Sequence, residues 1–107
     1  MSTFDKREEG FEKKFALDEE QKFKAEVRRN KLLGLWAAEK LGMSGDDANA
    51  YAKEVVSADF EEAGDQDVQN KVVKDLTAKG VAITAAEVRV KMDELIALAA
   101  AQVKAGT

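Results

Sequence analysis

The densest positive charge in this chain lies along Lys22-Phe23-Lys24-Ala25-Glu26-Val27-Arg28-Arg29-Asn30-Lys31, five positive groups and one negative. On a helix, Lys24, Arg28 and Lys31 share a face at i, i+4, i+7, a pattern able to meet phosphates or an acidic partner. Glu19 and Glu20 stand just upstream, however. Asp18→Lys22 and Glu20→Lys24 then have the favourable i,i+4 order, so a solvated, self-paired face is the stronger expectation. Nucleic acid is a poor fit as partner. Lys and Arg total 17 against 21 acids, a formal charge of -4, so no field of the right sign covers the molecule.

Other chemistry is scarcer. His, Cys and Pro are all absent. An ordinary zinc site, a Ser-His or Cys-His pair and a disulfide are therefore excluded. Acids such as Asp59, Glu61, Glu62, Asp65 and Asp67 have no Ca²⁺-loop spacing, and Gly42–Gly45 lacks the Gly-Lys-Ser/Thr ending of a phosphate loop. They read as helix-end charges. The expectation is a protein that is not an enzyme, with no cofactor and no metal. The longest apolar runs, Leu32–Ala38 and Leu95–Val103, fall far below the roughly 20 residues that span a bilayer, and the charged opening fits no signal peptide. A soluble cytoplasmic protein without direct membrane insertion is expected.

The elements that would carry these residues are helices. Leu41-Gly42, Ala63-Gly64 and Lys79-Gly80 look like stops. Ser44-Gly45-Asp46-Asp47, Asp65-Gln66-Asp67 and the capping box Thr84-Ala85-Ala86-Glu87 look like starts. Helices are thus predicted near 18–41, 46–63, 66–79 and 85–105. Their apolar stripes recur at helical spacing: Ala48, Tyr51, Ala52, Val55, Val56 and Phe60; Val68, Val72, Val73 and Leu76; Val88, Met92, Leu95, Ile96, Ala99 and Val103. The fold class is all-α, a four-helix bundle. Leu32–Ala38 is apolar right round the wheel, so it should form the central layer, with Gly34 admitting a neighbouring helix. Trp36 would serve either that layer or a protein contact.

The opening residues follow another rule. Phe4, Phe11 and Phe15 fall within about 40° of one another on a wheel. Phe23, Val27, Gly34, Ala37 and Leu41 define a different line, more than about 100° away, and this is the line expected to feed the bundle core. Between them Asp18-Glu19-Glu20-Gln21-Lys22 has no apolar side chain, and Asp18 with Gln21 three later resembles a helix start. Gly10 weakens any helix around it by about 1 kcal/mol. Residues 1–17 are therefore expected to form a flexible, weakly helical N-terminal arm, and residues 18–107 the four-helix domain. A kink at Gly10, or phenylalanines folded back into the bundle, are the competing readings.

The run Phe23 through Ala38, with Arg28-Arg29-Asn30-Lys31-Leu32-Leu33-Gly34-Leu35-Trp36 at its centre, resembles the zeta subunit family of alphaproteobacterial F-type ATP synthase. So do Ser2-Thr3-Phe4-Asp5-Lys6-Arg7-Glu8, Lys14-Phe15-Ala16, Leu41-Gly42, Tyr51, Asp59-Phe60-Glu61-Glu62-Ala63-Gly64 and Met92-Asp93-Glu94-Leu95. The likeness covers nearly the whole chain and is loosest around Thr77–Thr84. It implies a four-helix inhibitor of ATP hydrolysis whose N-terminal segment, here Thr3 through Leu17, inserts at an alpha/beta catalytic interface near the central rotor stalk. On that resemblance the partners are the alpha, beta and central-stalk subunits, and the location is cytoplasmic, peripheral at the inner membrane through the synthase head. Phe4, Arg7, Phe11, Lys14 and Phe15 are the expected partner-binding residues, and the free protein is expected to be a monomer. The alternative is a small helical adaptor or weak ligand-binding module with little inhibitory activity.

Overall fold

In the computed structural model, residues 17–61 and 65–106 are described, the side chains of 59–61 excepted. Among them are four helices and no strand: α1 (Glu19–Lys40), α2 (Gly45–Glu61), α3 (Gln66–Ala78) and α4 (Ala85–Lys104). The predicted bundle is confirmed, with each described helix end within two residues of its expected place. Two of the predicted starts are built as the residue types required. At α1, Asp18 accepts from the Gln21 N–H at 2.8 Å while its own N–H donates to Gln21 Oε1 at 3.3 Å, a complete capping box. At α4, Thr84 Oγ1 accepts from the Glu87 N–H at 3.1 Å.

Both interior stops with described geometry use a left-handed glycine. Gly42 has φ 81° and Gly80 has φ 86°. After α1, the Met43 N–H reaches the Ala38 carbonyl at 2.9 Å and the Gly42 N–H reaches Glu39 at 3.1 Å. After α3, Val81 and Gly80 repeat the pattern onto Leu76 and Thr77, both at 3.0 Å. These paired bonds satisfy carbonyls that a helix end would otherwise orphan. In the second case Val81 also packs on the core that contains Leu76.

The main core joins Leu33, Ala37 and Ala38 of α1 to Tyr51 and Val55 of α2, Val68, Val72 and Leu76 of α3, and Val88 and Met92 of α4. Burying an aliphatic side chain contributes about 1.5–3 kcal/mol, so this cluster is the principal driving force of the fold. The expected central layer is met in part: Leu33, Gly34, Ala37 and Ala38 are buried, whereas Leu32, Leu35 and Trp36 are half-buried. Gly34 has the role expected of it. A Cβ there would lie 2.6 Å from the Ala52 Cα, so α1 and α2 approach closely only because that atom is missing.

A second, smaller cluster closes the other end: Leu17, Ala25, Ala99 and Ala100, with Leu32, Ile96 and Val103 packed against it. The N-terminal half of α1 thus lies on the C-terminal half of α4. Here the expected core line of α1 is wrong. Phe23 is 53% exposed and Val27 only half-buried, whereas Ala25 is fully enclosed. At this end α1 meets a helix whose contact face is alanine, and small side chains on both sides let the backbones approach. A phenylalanine on that face would hold them apart.

Candidate functional site

The expected partner-binding residues Phe4, Arg7, Phe11, Lys14 and Phe15 lie outside the described residues. The root of their segment is described. Leu17 is buried in the smaller cluster, and Asp18 follows in extended conformation with φ -79° and ψ 177° before the helix begins. The capping box holds this junction, so the chain enters α1 from a fixed point on the body.

Beside that point runs a groove of about 600 Å³, lined by Phe23, Val27, Val56 and Val103 with Lys24, Arg28 and Lys31 along it. The three cations predicted to share a face do so. Two are engaged: Lys24 pairs with Glu20 at 3.2 Å, and Arg28 donates to Gln102 Oε1 at 3.4 Å. The Glu20–Lys24 pair is well exposed, and such pairs contribute at most about 1 kcal/mol. Lys31 is exposed and borders both this groove and an adjoining one between α1 and α2.

Sequence reasoning missed a polar clamp on another side of the bundle. Asp65, expected as a helix cap, makes no side-chain cap bond. Its carboxylate instead accepts from Arg89 Nη1 of α4 at 2.7 Å and from Arg29 Nη1 of α1 at 3.4 Å. Gln69 extends the set, accepting from Arg89 Nη2 at 2.6 Å and donating to the Ala85 carbonyl at 2.9 Å. Arg29 is buried, and its Nε donates to Asn30 Oδ1 at 3.0 Å. Burial pushes the Asp65 carboxyl upward, but the hydrogen bond and charge of Arg89, joined by the charge of Arg29, outweigh it and leave the group below its ordinary value. The residue signal was present as Arg29, Asp65 and Arg89, but separations of 36 and 24 residues carry no local rule. Asn30 is fully buried, and its Nδ2 has no acceptor among the described residues.

Two further clusters also serve the fold. Tyr51 donates to Asp75 Oδ2 at 2.8 Å, Lys71 reaches the same oxygen at 3.0 Å, and the Lys71 ammonium sits 5.3 Å from the Tyr51 ring centre. Burial first, and the Asp75 hydrogen bond second, push the phenol far above its ordinary pKa, so it stays protonated. Trp36 packs on the core and carries Lys40 and Lys91 at 5.0 and 5.7 Å from its ring centre. Among the described residues no group of three or more acids is placed to hold a metal ion, and no helix is long and apolar enough to cross a membrane.

This geometry is a helical body with a fixed root for a preceding segment. Residues 1–102 match the family described as ATPase inhibitor subunit zeta. The chain belongs to that family. The match runs through both the body and the segment that precedes it, as the resemblance in the Arg28–Trp36 region led one to expect. Three solved chains are similar. One, titled "Solution NMR structure of the protein", is 60% identical with a TM-score of 0.69, over 79% of this chain and 96% of that one. No match was found among curated proteins. Within the zeta family frame, the arginine clamp and the three lysine–aromatic contacts are features of the helical body, and the groove is the surface beside Leu17.

Proposed function

We propose that this protein inhibits ATP hydrolysis by an F-type ATP synthase through residues 1–16, which insert at an alpha/beta catalytic interface near the rotor stalk while Leu17 stays in the packing of the body. The observation that carries the reading is the family match across residues 1–102, which includes that whole segment. The phenylalanines support it, because Phe4, Phe11 and Phe15 share one face of a helical wheel and α1 starts anew after them at the Asp18 capping box. Burial of each phenylalanine in the partner is worth about 1.5–3 kcal/mol, so these three are the anchors, while Arg7 and Lys14 orient the segment against acidic groups. Inhibition is then steric. The protein performs no chemistry and blocks a rotary cycle, acting as a free monomer that becomes peripheral to the membrane only through the synthase.

The test is hydrolysis by the host's own ATPase with the full chain and with a chain lacking residues 1–16. Leu17 is retained because it is part of the body's packing. The full chain is expected to inhibit and to co-purify with the ATPase head. The truncated chain is expected to keep its helical circular dichroism and lose inhibition. Equal inhibition by both would remove the segment from the mechanism. Failure of the full chain to inhibit or co-purify would favour the adaptor alternative.

A further inference from the structure

We infer that the basic surface beside Leu17 is a second contact with the ATPase head, taking an acidic, amphipathic edge of the subunits that flank the inserted segment. The identity of this partner rests on the function proposed above, because it follows from where an inserted segment has to stop. Leu17 is buried in the body. A partner that takes residue 16 therefore stands one residue away, no more than about 4 Å of chain. The mouth of its cleft then meets whatever the body presents around Leu17. That surface is the groove between α1, α2 and α4. Gln21 completes the capping box at the root and also lines the groove, while Val103 packs on the Leu17 cluster and lines it too. From Asp18 to Lys31 the α1 wall runs on for about 20 Å, enough to seat several turns of a partner helix.

The lining selects the partner's chemistry. Among the described residues along the groove, Lys24, Arg28 and Lys31 carry charge and none is acidic. The adjoining groove shares Lys31 and Val56, adds Lys53, and again brings no acid among the described residues. Four cations thus follow one track on a chain whose formal charge is -4. The surface between α2 and α3 is different, mixing Lys71 and Lys74 with Glu54, Asp67 and Asp75. Apolar area lies along the same track, for Phe23 is 53% exposed and Val27 and Val56 are half-buried. Cations beside exposed apolar side chains fit a segment that carries carboxylates along one edge and apolar side chains along the other. Lys24 can exchange its well-exposed Glu20 for a partner carboxylate at small cost. Attraction along such a track acts first on capture, bringing the preceding segment to its cleft in the right orientation.

Lysine acylation of the full chain, read by mass spectrometry with and without the host's purified ATPase, tests both contacts at once. Lys24, Lys31 and Lys53 are exposed, as are Lys74 and Lys79 on the α3 side. Labelling of the first three is expected to slow severalfold in the complex, while Lys74 and Lys79 keep their rates. Lys13 and Lys14 report on the inserted segment. Slowing at Lys13 and Lys14 with no change at Lys24, Lys31 and Lys53 would overturn the second contact and leave the insertion standing. Slowing at those three without Lys13 and Lys14 would keep the contact and remove the insertion. Equal slowing on all faces would overturn the proposal. So would slowing that appears without ATPase as the chain is concentrated, which would make a second copy the occupant. Charge reversal adds a functional readout. Lys31→Glu combined with Lys53→Glu is expected to raise the concentration for half-inhibition about tenfold, by an amount that shrinks in high salt, with the melting temperature unchanged. The matched pair Lys74→Glu and Lys79→Glu is expected to inhibit like the natural chain. Unchanged inhibition by the first pair would overturn the second contact.

Discussion

At the scale of single residues, two positions determine how the helices meet. Gly34→Ala gains about 1 kcal/mol of helix propensity, yet its new methyl would stand 2.6 Å from the Ala52 backbone and 3.3 Å from the Val55 Cβ. Backbone cannot rotate away, and overpacking of this kind costs about 1–3 kcal/mol. The expected outcome is a net loss of stability, read as a lower denaturant midpoint. Asp65 offers a sharper contrast. Serine is as good a cap as aspartate, so Asp65→Ser would be neutral if capping were its role. Because it holds Arg29 and Arg89 instead, the substitution is expected to cost about 2–3 kcal/mol. The acid limb should change as well. A carboxyl held below its ordinary value contributes stability that is complete above the unfolded pKa of about 3.9 and lost as pH falls through the folded value. Stability of the natural chain should therefore fall below about pH 4, and the fall should be shallower in Asp65→Ser. Urea titrations at neutral pH and at successive acid pH values measure both effects.

At the scale of elements, the helix starts are the places where one side chain decides a boundary. Asp18→Ala and Thr84→Ala each remove an acceptor for a first-turn N–H, and each is expected to cost about 1 kcal/mol in denaturant midpoint. They differ in a second readout. Thr84 starts α4 beside the Gln69–Ala85 bond, whereas Asp18 adjoins buried Leu17 and the root of the segment. Amide exchange at residues 17–22 should accelerate in Asp18→Ala and remain unchanged in Thr84→Ala. Protection in the interior of all four helices should persist in both variants, since their stability comes from the shared core rather than from the caps.

At the scale of the whole molecule, body and segment should respond to different substitutions. Phe11→Ala is expected to weaken inhibition more than Glu9→Ala, because an anchoring phenylalanine exchanges water for an apolar site while a surface charge largely exchanges water for partner. Neither should shift the melting temperature of the free protein by more than a degree or so, as surface changes lie within about 0.5 kcal/mol. A large melting shift in Phe11→Ala would mean that this ring contributes to the body's core. With no histidine in the chain, no side chain titrates at its ordinary pKa between about pH 5 and 8. Sedimentation and circular dichroism are expected to give one fold and one oligomeric state from about pH 6 to 8. A monomer–dimer switch in that window would contradict this.

What the sequence determined by itself is what short-range physics controls. Capping pairs three residues apart, glycines that accept a positive φ and apolar side chains at helical intervals all act within one or two turns. Four helices and most of their buried faces were therefore legible before any tertiary contact was known. The tertiary structure alone decided the rest. Which side of the first turns of α1 faces inward depended on the alanines of α4, so Ala25 and not Phe23 is enclosed. Asp65 became a clamp rather than a cap because folding brought two arginines from distant helices to its carboxylate, and charge-assisted bonds at 2.7 and 3.4 Å outcompete a single backbone N–H. The groove beside Leu17 is likewise a product of assembly, since its walls belong to three helices and exist only once α1, α2 and α4 have packed.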